Sequence, residues 1–147
     1  MPLTLSHALG ESGDPPLRQL SAQVADLLFE LNAPPRLAAH LRTVYVAAAQ
    51  LTAWIAGRNP SLAVDRRAVL FGAATHDIGR TVQVEEMSGP GSQHERASQQ
   101  LRLAAGINPS LARFAATHAS WRTGAVELNP ERSRMQIRWR KGFHMSA

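Results

Sequence analysis

Apolar positions along the chain recur at helical spacing almost everywhere and alternate in the manner of a strand nowhere. Leu17, Leu20, Val24, Leu27, Leu28 and Leu31 form a first amphipathic stripe, ended by Asn32-Ala33-Pro34-Pro35. Leu37, Leu41, Val44, Ala48, Leu51 and Ile55 alternate steps of four and three and predict one continuous buried stripe on a second helix, closed by Gly57, Asn59 and Pro60. A third helix is predicted from Asp65 to Ile78, with Gly79 as its stop. After an irregular stretch from Arg80 to Gln93, Ser92 and Glu95 have the spacing of a capping box. A fourth helix is therefore expected to start at Gln93 or His94 and to end near Gly106. Asn108-Pro109 would cap a fifth, reaching about Ala119. The expected fold is all-α, a compact bundle of five to six helices.

Length and composition refine this only at the ends. A chain of 147 residues can bury one continuous core. Residues 1–16, polar and turn-rich, read as a loose lead-in, 17–121 as the helical domain and 122–147 as a poorly periodic tail. No apolar run approaches the roughly 20 residues that cross a bilayer, and no secretory leader pattern opens the chain, so a cytoplasmic protein without a membrane partner is expected. The net charge of +5 is local. Arg132, Arg134, Arg138, Arg140 and Lys141 lie in a segment without acids, and the rest of the chain is balanced. Nucleic-acid binding would be confined to this tail, with Trp139 stacking on a base, and a solvated tail is the commoner meaning of such a run.

The histidines carry the candidate chemistry. His76 follows Ala73 by three and Asp77 follows it by four, so both lean inward at the end of the third helix. His40 lies on the edge of the second helix's stripe, His94 at the start of the fourth helix and His118 at an inward position of the fifth. A lone inward His is most often a core residue, but four on separate segments around an inward Asp are another matter. A buried carboxylate needs a cation or a donor, and a metal would satisfy the whole set. With no Cys in the chain, only His and carboxylates can hold one. His7 and His144 stand in terminal segments without an assigned role. No Walker-type phosphate loop or Ser nucleophile elbow occurs. Trp54, Phe71, Met87, Phe114 and Trp121 read as core or rim packing.

His40, the His76-Asp77-Ile78-Gly79 run and the later His94-Glu95 together resemble the HD-domain superfamily of metal-dependent phosphohydrolases, over about residues 20–121. The resemblance implies an all-helical fold and one or two divalent ions (Mn, Fe, Co, Ni, Zn or Mg). His40, His76 and Asp77 would be first-metal ligands, and His94 and His118 correspond to second-site histidines. It further implies a small phosphorylated substrate attacked by a metal-activated water, with Asp77 orienting that water. Arg80 would either pair with the substrate phosphate or stand solvated past a helix end. The pattern departs from the family at one point: the closing Asp of a late helix has no counterpart. Downstream of His118 the only carboxylates are Glu127 and Glu131. Two functions remain open on these residues, a phosphohydrolase and a catalytically weak metal- or ligand-binding regulatory module.

Overall fold

The computed structural model describes residues 4–10 and 18–117. The described residues contain six α-helices and three 3-10 turns, with no strand among them. The helices are α1 (Leu5–Leu9), α2 (Ala22–Glu30), α3 (Pro35–Arg58), α4 (Arg66–Thr75), α5 (Gln93–Ala104) and α6 (Pro109–Ala112). The 3-10 turns cover Ile78–Thr81, Val84–Met87 and Arg113–Thr117. The chain is thus the all-α bundle that its periodicity predicts.

The core gathers where α2, the first half of α3 and the end of α4 meet. Val24 and Leu28 of α2 pack with Leu37, Ala38 and Leu41 of α3, Ala74 of α4 and Ile78 just beyond it. Ser21 caps α2 through the Val24 amide, and Asn32, in the left-handed region at φ 46°, turns the chain toward Pro35 at the start of α3. Leu20 is buried but precedes α2, which therefore starts later than the stripe from Leu17 suggests.

Three expectations about packing are corrected. The stripe on α3 is buried only in its first half; Leu51 is 43% exposed and Trp54 57%. The buried line along α3 leaves the predicted stripe, and beyond the helix midpoint it is Ala49 and Thr52 that are buried. Phe114 is half-exposed as well, and Trp54 and Phe114 lie beneath the guanidinium groups of Arg58 and Arg113 rather than in the core. Phe71 and Met87 do pack against the core.

Second, the lead-in is structured in part: α1 buries Ala8 and packs on α3. Arg42 fastens it. Its buried guanidinium donates to the carbonyls of Ala8, Gly10 and Arg18, so a charged side chain sits where the helical pattern would place an apolar one. Third, the fifth helix gives way at Arg113 to a 3-10 turn ending at Thr117. His118, Trp121, Glu127, Glu131 and the basic tail lie outside the described residues.

Candidate metal centre

The His-Asp pair does not lie inside a helix. α4 ends at Thr75, whose hydroxyl donates to the Phe71 carbonyl; His76 is the cap and Asp77 leads into the Ile78–Thr81 turn. The third helix therefore stops three residues before the expected end at Ile78. Gly79 is not a left-handed helix stop either. A Cβ there would lie 2.0 Å from the His94 carbonyl oxygen and 2.5 Å from the Ser98 amide. Glycine lets the turn press onto α5, where the Gly79 amide donates to Ser98 Oγ at 2.7 Å. That approach seats Asp77 against His94.

His40 on α3 and His76-Asp77 at the exit of α4 converge. His40 Nε2 lies 3.4 Å from His76 Nε2 and 3.5 Å from Asp77 Oδ2, and His76 Nε2 lies 3.6 Å from the same oxygen. Among the described residues these three form a group able to hold a metal ion. His76 Nδ1 lies 2.9 Å from the Ala73 carbonyl, which can only accept. The proton of the neutral ring therefore sits on Nδ1, and Nε2 turns its lone pair toward Asp77 and His40. Such a backbone bond fixes the tautomer of a ligating imidazole.

The triangle's dimensions suit a cation. Four ligands in tetrahedral array at about 2.1 Å from an ion stand about 3.4 Å apart, whereas octahedral neighbours at that bond length stand about 3.0 Å apart. Edges of 3.4, 3.5 and 3.6 Å match a face of the tetrahedral arrangement. Two imidazole nitrogens and one carboxylate oxygen are also a donor set typical of a catalytic site that keeps a position open. The residues present fit a divalent ion.

Asp77 is held from one side. Arg80 Nε donates to Oδ2 at 2.8 Å, and Arg80 Nη1 donates to the Glu86 carbonyl. On the other side, His94 Nε2 lies 3.4 Å from Asp77 Oδ1. Arg80 thus clamps the carboxylate that the triangle needs, and it also lines the cavity beside the triangle. His94, expected as a ligand, is joined to the triangle through Asp77 rather than as one of its members, and its other nitrogen is engaged by Glu86.

Glu86 is the residue that the sequence reading missed. It caps α5 from across the glycine-rich loop. Its Oε1 accepts from the Gln93 amide and its Oε2 from the His94 amide, both at 3.0 Å, and His94 Nδ1 lies 2.5 Å from Oε2. Ser92 stands at the expected cap position but makes no side-chain cap bond, so the predicted capping box is replaced by this distant carboxylate. Burial opposes ionisation of Glu86, yet the hydrogen bonds from His94 and Gln93 prevail and hold its carboxyl below the usual range. Gly91 makes room: a Cβ there would lie 2.3 Å from Glu86 Oε1. A carboxylate seven residues before the helix carries no local signal of this role.

Beside the triangle opens a cavity of about 230 Å³ lined by Arg36, Leu37, His40, Asp77, Arg80 and Met87. Another, of about 240 Å³, lies between α2 and the end of α5 and includes none of these residues. No helix among the described residues is long and apolar enough to cross a membrane. No family model, curated protein or solved structure matches the chain.

Proposed function

We propose that the protein is an HD-type phosphohydrolase that cleaves a small phosphate ester at a divalent ion held by His40, His76 and Asp77. The observation that carries this reading is the convergence of two imidazole nitrogens and a carboxylate oxygen, from α3 and the exit of α4, into a triangle with edges of 3.4–3.6 Å beside a cavity. A divalent ion there would polarise a phosphoryl oxygen and acidify a water. The chain's own groups supply the rest. The His76 backbone bond aims one lone pair, while Arg80 keeps the Asp77 carboxylate facing inward, where it orients the attacking water. Water oxygen bonds to phosphorus, the ester P–O bond breaks, and the proton passes to the departing oxygen, giving an alcohol and inorganic phosphate.

The test is a screen of the metal-loaded protein against nucleotides and generic phosphate esters. Hydrolysis that disappears in Asp77→Ala and His76→Ala, with helicity retained, is expected. Full turnover in Asp77→Ala overturns the assignment. A second reading, a binding module without turnover, is favoured by one observation: Arg80 already neutralises the charge on Asp77 Oδ2 at 2.8 Å. Metal uptake without hydrolysis of any ester in the screen would select it.

A further inference from the structure

We infer that Arg36 is the phosphate-binding residue of this site, and that the group it receives is the dianionic terminal phosphate of a monoester. The inference rests on the phosphohydrolase reading and names its substrate class. Arg80, the residue that the motif puts forward for this task, already gives Nε to the Asp77 carboxylate and Nη1 to the Glu86 carbonyl, although it too lines the cavity. Arg36 is differently placed. It stands one turn before His40 on α3, so the two side chains share a face, and both line the cavity beside the triangle. Among the described residues Arg36 has no ion-pair partner, and it is exposed. It also lies in the first turn of a 24-residue helix, at that helix's positive end.

Charge and size define the ligand. A divalent ion in the triangle and the free fork of Arg36 would flank the same cavity, and with Asp77 already paired to Arg80 this excess of positive charge favours the two negative charges of a phosphate monoester. A diester carries only one. The fork geometry of a guanidinium suits two phosphoryl oxygens at once. Leu37 and Met87 give the remaining wall an apolar character. At about 230 Å³ the cavity is smaller than the roughly 300–1,000 Å³ that encloses a drug-sized ligand. It therefore holds the phosphate and the first atoms of the esterified group, and the remainder lies outside.

The experiment is calorimetric titration of inorganic phosphate into the wild type, Arg36→Gln and Arg36→Lys, with the metal content of each determined in parallel. Arg36→Gln should keep the wild-type metal content and bind phosphate at least about tenfold more weakly, with Arg36→Lys intermediate. For 4-nitrophenyl phosphate the loss should fall on KM more than on kcat. Phosphate affinity unchanged in Arg36→Gln overturns the inference. So does a wild type that binds no phosphate, or an Arg36→Gln protein that has lost its metal. If the wild type takes up no metal, the phosphohydrolase reading fails separately. Arg36 is then judged by the same titration on metal-free protein, where weaker binding in Arg36→Gln supports it and equal binding overturns it.

Discussion

Arg80 donates to Asp77 through the same carboxylate oxygen that faces His40 and His76: Nε to Oδ2 is 2.8 Å, against 3.5 and 3.6 Å for the two imidazoles. One oxygen therefore serves as the corner of the metal triangle and as the acceptor of an internal ion pair. A ligating carboxylate is commonly hydrogen-bonded from behind, and the guanidinium plays that part here.

Replacing Arg80 by Met should accordingly destabilise the fold by about 2–3 kcal/mol, since a nearly buried carboxylate loses its charged donor. A divalent ion would restore part of the loss. Urea unfolding with and without metal checks this, and the ion should raise the midpoint of Arg80→Met more than that of the wild type. Equal shifts in the two proteins would show that Arg80 does not act on the triangle.

Glu86 ties acid stability to the start of α5. Its carboxyl is held below its ordinary value by His94 and Gln93, although burial pulls the other way. A depressed carboxyl contributes stability above its unfolded value, near 4.5, and that contribution disappears as pH falls through the folded value. Glu86→Gln should cost about 1–2 kcal/mol at neutral pH, as the loss of a helix cap does. It should also flatten the decline in stability below about pH 4.5. Chemical unfolding measured between pH 3 and pH 7 tests both.

Gly79→Ala should be the harshest single-methyl change near the site, costing about 3 kcal/mol or more, at or beyond the upper end of ordinary overpacking. The added carbon would meet backbone atoms of α5, at 2.0 and 2.5 Å, rather than a flexible side chain. Gly72→Ala on α4 has nothing within 4 Å and serves as the control. A denaturation midpoint for Gly79→Ala close to that of the control would contradict the account of the turn.

Helix order and the Pro35 start of α3 were legible in the sequence, because each follows from local periodicity or a side-chain type that punctuates it, whereas the grouping of His40 with His76 and Asp77 was implied by the resemblance to the HD-domain superfamily. Three features were not legible. The end of α4 at Thr75 depends on how the following turn docks on α5, a tertiary contact. Glu86 acts across a loop, so the local Ser92–Glu95 pattern drew attention to the wrong carboxylate. Arg42 and Arg102 are fully buried despite their charge, because each finds backbone carbonyls on other segments: Arg102 donates to Leu111 and Gly72. Burial lowers the Arg102 guanidinium to about 10. A helical wheel sees none of these long-range acceptors.

The most direct measurement is elemental analysis of the wild type, His40→Ala, His76→Ala and Asp77→Asn after equilibration with Mn, Fe, Co, Ni, Zn or Mg and removal of excess ion. About one tightly held ion per chain is expected in the wild type, as three ligands and an open position allow, and it should be lost in each variant. A wild type that retains none of these ions, or a His76→Ala protein that retains its full complement, would contradict the metal centre.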